Sequence, residues 1–66
     1  MQLTINGEIR DVADNLHISA LLDSLELASA RVVVELNRDI VMPADYSTTL
    51  LQNGDSLELV QFVGGG

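Results

Sequence analysis

The sequence contains no cysteine, and this absence excludes several kinds of structure and chemistry. A disulfide scaffold, a cysteine-based zinc site and a mechanism with a side-chain thiol as nucleophile are all ruled out. Histidine is nearly as scarce, since His17 is the only one. We expect no metal site, because neither a cysteine nor a second histidine is present to join it. A surface or helix-capping role is expected for His17 instead.

Positive charge is also scarce. Ten acidic residues face three arginines and no lysine, which gives a net charge of −7. A chain of this charge repels a phosphate backbone, so nucleic acid is not an expected partner. No apolar run has the length of a membrane span or of a signal-peptide core, which predicts a cytoplasmic protein without membrane contact. The acidic excess favours docking onto a basic protein surface, or it only keeps a small domain in solution.

What the sequence has in quantity is aliphatic side chains. Hydrophobic residues make up 47% of its 66 positions. A chain of this length forms one domain and buries only about 60% of the surface that its unfolded state exposes, so most of its apolar side chains are needed in the core. We expect a single domain over residues 1–66, with a globular part over 1–62 and a flexible tail over 63–66.

The first elements are predicted to be a hairpin and a helix. Residues 2–6 alternate polar and apolar, and Asn6-Gly7 is a strong signal for a hairpin turn. Two registers stay open: a two-residue loop pairs Leu3 with Arg10, and a bulged loop pairs Leu3 with Asp11. Either one leaves a charge on the buried face. A helix follows, with His17 or Asn15 as its expected cap and Ser19 as a weaker candidate. Its apolar stripe is made of Ile18, Leu21, Leu22 and Leu25.

The second half predicts three more strands. Residues 31–36 are rich in β-branched side chains and are predicted to form a strand, 37–39 form a turn, and Pro43 ends a strand over 40–42. Tyr46 is expected to pack as a lid with its hydroxyl in water. Asn53-Gly54-Asp55 is a turn that starts the final strand. The fold class is therefore α+β, a roll whose mixed sheet of four to five strands packs on one main helix, with the first and last strands as a parallel central pair.

Strand alternation predicts an exposed apolar patch near the end of the chain. If Leu57 and Leu59 face the helix, Val60 and Phe62 face away from it, and Val33 does the same on its own strand. If the two strands are neighbours, Val33, Val60 and Phe62 form a partner-docking patch, fringed by Glu35 and Glu58. The final strand is followed by three glycines, Gly64, Gly65 and Gly66. We expect them to form a thin thread that can enter a narrow cleft.

The element order and the strand-to-glycine ending resemble the ubiquitin-like β-grasp fold. The hairpin, the helix and above all the segment Asn53-Gly54-Asp55-Ser56-Leu57-Glu58-Leu59-Val60-Gln61-Phe62-Val63-Gly64-Gly65-Gly66 resemble the sulfur carrier family of thiamine (thiazole) biosynthesis, the ThiS family. The similarity extends over essentially the whole chain. Its most specific part is the Gly-Asp turn, the final strand and the terminal glycines.

This resemblance implies a function. An E1-like adenylating enzyme joins the Gly66 carboxylate to AMP, a cysteine desulfurase or other persulfide donor supplies sulfur, and the resulting thiocarboxylate passes it to thiazole synthase. In that scheme Gly64 and Gly65 thread the tail, ATP and magnesium belong to the activating enzyme, and the chain binds no cofactor and is a monomer alone. It is then a carrier and not an enzyme. Six acidic residues lie at predicted turns or polar faces, in agreement with this: Asp11, Asp14, Asp23, Glu26, Asp39 and Asp55.

Three alternatives stay open from the sequence. One is a sulfur carrier of another pathway, such as the small subunit of molybdopterin synthase. The second is a ubiquitin-like protein modifier, which uses the same activation but forms an isopeptide bond to lysine. The third is an interaction module of the same fold whose tail has no role, for which removal of Gly66 changes no activity.

Overall fold

A computed structural model describes residues 1–62, which form a five-stranded sheet with an α-helix packed on one face. The strands are β1 (Gln2–Ile5), β2 (Glu8–Asp11), β3 (Val32–Leu36), β4 (Asp39–Val41) and β5 (Ser56–Gln61), and the helix is α1 (Ile18–Ser24). Single 3-10 turns at Ser29–Arg31 and Pro43–Asp45 lie in the connections. None of the helices in this part of the chain is long and apolar enough to cross a membrane.

The strand order is β2-β1-β5-β3-β4. β1 and β5 are parallel, and the other three neighbouring pairs are antiparallel. After the first hairpin, β1-β2, the chain crosses one face of the sheet as α1 and then forms the second hairpin, β3-β4. The last strand, β5, lies between the two hairpins. This confirms the predicted mixed sheet with a parallel central pair.

The first hairpin adopts the register of the two-residue loop, with Leu3 opposite Arg10 and Ile5 opposite Glu8. Asn6 and Gly7 have φ angles of 50° and 82°, the left-handed pair that a tight hairpin turn of this hand requires. The charge expected on the buried face is not buried. β2 lies at the edge of the sheet, beyond the cover of the helix, and all four of its residues are exposed.

The apolar stripe of α1 packs on the sheet as predicted. Ile18, Leu21 and Leu22 are fully buried, and Leu25 is partly buried where the helix ends. His17 occupies the N-cap position, but its side chain makes no capping hydrogen bond. The first N–H groups are satisfied by a loop instead: Ile18 N–H donates to Thr49 O at 3.1 Å and Ser19 N–H to Tyr46 O at 2.9 Å.

Tyr46 corrects one prediction. It was expected to leave its hydroxyl in water, but it is 3% exposed, and its hydroxyl donates to the backbone oxygen of Val32 at 2.8 Å. The turn at Pro43–Asp45 places residue 46 beside the start of β3, where a carbonyl is available as acceptor. A tyrosine buried this deeply needs such a partner, and the bond ties the loop to the sheet.

A single cluster forms the core between the inner face of the sheet and α1. Its buried members are Leu3, Ile5, Ile18, Leu21, Leu22, Val32, Val34, Tyr46, Leu51 and Leu57. They come from β1, β3, β5, the helix and the loop before β5. The three central strands are therefore anchored on one face, and their other face is left to solvent.

Candidate functional site

The site is built on β5, the strand that leads to the terminal glycines. Its start is fixed by the predicted turn at Asn53-Gly54-Asp55, where Gly54 has a φ angle of 89°. Gln2 N–H donates to the side-chain oxygen of Asn53 at 2.7 Å, and Gly54 N–H donates to Gln2 O at 2.8 Å. β5 thus enters the centre of the sheet already attached to β1.

The register between β3 and β5 confirms the predicted alternation. Val33 lies directly opposite Val60, and Glu35 directly opposite Glu58. Leu57 is fully buried on the helix side, whereas Val60 is 57% exposed and Phe62 is 59% exposed. Phe62 continues the pairing beyond the strand, because its N–H donates to Arg31 O at 2.8 Å.

Val33, Val60 and Phe62 therefore share the outer face. We call these three residues the docking patch, after the partner contact that the sequence predicts for them. Val33 is half-buried, while more than half of each of the other two side chains is exposed. β5 ends at Gln61, so the patch lies at the C-terminal end of this strand. Gly64, Gly65 and Gly66, the predicted threading and modified residues, lie outside the described residues.

Two carboxylates border the docking patch. Glu35 and Glu58 are directly opposite on adjacent strands, a placement that costs stability because like charges repel at this distance. Between residues 1 and 62, neither carboxylate is within salt-bridge distance of a basic group. Arg38 lines the same groove as Glu35 and Glu58 without forming a direct ion pair with either. The face thus combines apolar side chains with two carboxylates that have no direct ion pair.

Ile40 extends this face and was not predicted. It lies opposite Glu35 on β4, and 67% of it is exposed. The sequence suggested a three-residue turn over 37–39, but the structure has two turn residues, Asn37 and Arg38, with φ angles of 51° and 73°. A two-residue turn pairs Glu35 with Ile40, so the missing information was the length of the turn.

The acidic residues of the described chain, residues 1–62, do not gather into a metal-binding cluster. No group of three or more His, Asp or Glu residues there is placed to hold a metal ion. Asp14 accepts a hydrogen bond from the Met1 amino group at 2.8 Å, and this bond, together with the positive charge, holds the pKa of Asp14 below its ordinary value. That interaction joins the N-terminus to the loop before α1 and lies apart from the docking patch.

The chain has a mixed sheet that packs on one helix, and its last strand lies in the centre of that sheet. This arrangement defines a ubiquitin-like β-grasp protein. The model of the ThiS family matches residues 3–66. The chain therefore belongs to the ThiS family.

Individual relatives agree with this assignment. The thiamine biosynthesis protein ThiS of Geobacter metallireducens has a crystal structure that matches with a TM-score of 0.85 and 36% identity, over 100% of both chains. The sulfur carrier protein ThiS of Bacillus subtilis is 37% identical over 97% of this chain and 98% of its own. A thiazole synthase of Paramagnetospirillum magneticum is 42% identical over the whole of this chain, which spans 20% of that relative's length.

Proposed function

We propose that this chain is the sulfur carrier of thiamine thiazole biosynthesis and that the carboxylate of Gly66 carries the sulfur. The observation that supports the proposal most strongly is the position of β5. A central strand, held on both sides at its start, leads within five residues to Gly66 in a chain of the ThiS family. The sequence has no cysteine, so sulfur has to travel on a group other than a side-chain thiol.

The proposed chemistry has two stages. A carboxylate is a poor acyl donor, so the Gly66 oxygen first attacks the α-phosphorus of ATP in an E1-like adenylating enzyme, and pyrophosphate leaves. The terminal sulfur of a persulfide, formed by a cysteine desulfurase, then attacks the acyl carbon and AMP leaves. Reduction of the remaining sulfur–sulfur bond by a thiol releases the thiocarboxylate. ATP and magnesium belong to the activating enzyme, and this chain contributes the carboxylate and the surface that presents it.

The three terminal glycines suit this delivery. Glycine has no Cβ, so a run of three presents only backbone width to a narrow channel and adopts conformations closed to other residues. We propose that Gly64 and Gly65 pass through such a channel in the activating enzyme and again in the acceptor. The docking patch holds the domain at the mouth of the channel in both complexes.

The outer face indicates the character of the partner surfaces. Val60 and Phe62 offer apolar area to bury, and Glu35 and Glu58 favour basic groups beside it. A net charge of −7 adds a long-range attraction toward a basic surface. We propose that both the adenylating enzyme and thiazole synthase present an apolar surface with basic residues at its border.

Thiazole synthase is proposed as the acceptor because of one relative in particular. In Paramagnetospirillum magneticum, a protein named thiazole synthase contains a segment similar to this entire chain. Carrier and acceptor on one polypeptide would meet at high effective concentration. We propose that the present chain makes the same encounter with a thiazole synthase in the cytoplasm.

The pathway is tested by offering the sulfur-loaded chain to different acceptors. With thiazole synthase and its small-molecule substrates, the account predicts thiazole formation and return of Gly66 to a carboxylate. With the large subunit of molybdopterin synthase, we expect no transfer. Transfer to that subunit alone would assign the chain to the other pathway, and an isopeptide bond to a lysine would identify a protein modifier.

A further inference from the structure

β5 is paired unequally on its two sides. Toward β3 the backbone bonds continue to Phe62, whose N–H donates to Arg31 O at 2.8 Å. Toward β1 the backbone bonds end at Leu57, which accepts from Asn6 N–H at 2.9 Å, because β1 turns away at Asn6-Gly7. The half of β5 that leads to the tail thus has a strand partner on one side only.

The side chain of Asn6 occupies the place that β1 vacates. Its Nδ2 donates to Leu59 O at 3.2 Å, and Leu59 N–H donates to its Oδ1 at 2.7 Å. These are the two bonds that a strand continuing beside β5 would make with Leu59. One amide therefore extends the ladder by two residues, to a point seven residues before Gly66.

We infer that Asn6 is a positioning residue for the tail: by holding Leu59, it fixes the direction in which β5 presents residues 63–66 to a partner. The inference rests on the proposed function for the reaction that it serves. The docking patch does not depend on this amide, because Val60 and Phe62 are held from the β3 side. Loss of the amide is expected to misdirect the tail without removing the docking surface.

The turn alone also explains an asparagine at this position, and a glycine substitution separates the two roles. Asn6 has a φ angle of 50°, which asparagine tolerates and glycine adopts freely. Asn6→Gly therefore keeps the turn and removes only the side-chain bonds. Asn6→Asp keeps an acceptor for Leu59 N–H and loses the donor to Leu59 O.

Asn37 provides a matched control. It has a φ angle of 51° and begins the other two-residue hairpin turn. Its Oδ1 accepts from Ser56 N–H at 3.0 Å, and its Nδ2 donates to an Asp55 carboxylate oxygen at 3.0 Å. Asn37→Gly thus removes the same kind of contact, but from the start of β5, which is remote from the tail.

The test compares amide hydrogen exchange and adenylation kinetics in both glycine variants of the full chain. Asn6→Gly should speed exchange of the Leu59 amide by about tenfold, and Asn37→Gly should do so at Ser56 instead. With the adenylating enzyme, Asn6→Gly should lower kcat by roughly five- to tenfold with KM near the wild-type value. Asn37→Gly should change neither constant, and Asn6→Asp should be intermediate in both measurements.

Equal kinetics for the two glycine variants would overturn the inference, as would an unchanged exchange rate at Leu59 in Asn6→Gly. A rise in KM alone would assign Asn6 to docking and also contradict it. If the wild-type chain is not adenylated at all, the proposed function fails. The exchange rates still decide whether the amide holds β5, so the two failures are distinguishable.

Discussion

Truncation of Phe62 is the sharpest test of the docking patch. Full burial of a phenylalanine side chain contributes up to about 3 kcal/mol. Because 59% of this side chain is exposed in the free domain, covering it in a complex contributes about 1.5–2 kcal/mol. We therefore predict that Phe62→Ala raises the Kd for the adenylating enzyme by roughly 10- to 30-fold.

The fold should tolerate this change. Phe62 lies one residue beyond the end of β5, its backbone bond to Arg31 does not involve the side chain, and that side chain is on the solvent face. The free energy of unfolding should therefore change by less than about 0.5 kcal/mol. Isothermal titration with the adenylating enzyme measures the affinity, and thermal unfolding measures the stability. A loss of affinity that accompanies a loss of fold would not support the patch.

Ile9→Ala is the matched control. Ile9 is 71% exposed and lies on the same outer face, because it pairs with Thr4, which pairs with Ser56. Ile9 lies two strands away from β5, and the β5 residue at its height is Ser56, four residues before Val60. At ordinary strand spacings the distance between Ile9 and Val60 is therefore roughly 16 Å. Its truncation should leave the Kd within about twofold. Equal effects of Ile9→Ala and Phe62→Ala would refute the argument, since the outer face would then act by general hydrophobicity.

Three further predictions concern stability, pH and the tail. Tyr46→Phe removes the donor to a buried carbonyl and should lower the free energy of unfolding by about 1–2 kcal/mol; an unchanged Tm in thermal unfolding would contradict this. The lowered pKa of Asp14 predicts a contribution to stability that is present above the unfolded pKa of about 4 and is lost as the pH falls through the folded pKa. The free energies of unfolding of Asp14→Asn and wild type, measured with urea, should accordingly differ at neutral pH and become equal in acid. A difference that stays constant with pH would exclude the interaction. Gly65→Leu should abolish adenylation while leaving the circular dichroism spectrum unchanged, because a leucine side chain would not fit the narrow channel that we propose. Normal adenylation of this variant would contradict the threading proposal.

Most of the fold followed from local signals that agreed with one another. The stripe of Ile18, Leu21 and Leu22 identified the buried face of the helix, and Asn6-Gly7 and Asn53-Gly54-Asp55 marked two turns that the structure confirms. The parallel pairing of the first and last strands followed from the need to cover one helix with two hairpins. In each case the type and spacing of the residues were enough to predict the element, because the contacts that form it are near in sequence or are dictated by burial of apolar side chains.

The errors arose where a distant partner decides the outcome. The hydroxyl of Tyr46 is buried because Val32, fourteen residues away, offers a carbonyl. No local pattern reveals that acceptor. In the same way α1 begins without a side-chain cap, because Thr49 and Tyr46 supply backbone oxygens from a loop that comes later in the chain. Local propensity gives the position at which the helix begins, but tertiary contacts determine which groups accept hydrogen bonds from its first N–H groups.

The site was predictable in part. Alternation placed Val33, Val60 and Phe62 on one face, and the register of β3 with β5 brings Val33 and Val60 together. Ile40 was missed because a turn one residue shorter than expected moves β4 into a different register. The contacts of Asn6 with Leu59 join residues 53 positions apart, and the turn signal already accounted for an asparagine there.

The central claim is that Gly66 carries sulfur, and the intact mass of the chain tests it most directly. The purified protein is incubated with ATP, an adenylating enzyme, a cysteine desulfurase, cysteine and a thiol reductant, beside a variant that lacks Gly66. The account predicts a gain equal to the replacement of one oxygen by sulfur in the full chain and no gain in the variant. No change in the full chain, with the same enzymes active on an established carrier, would contradict it.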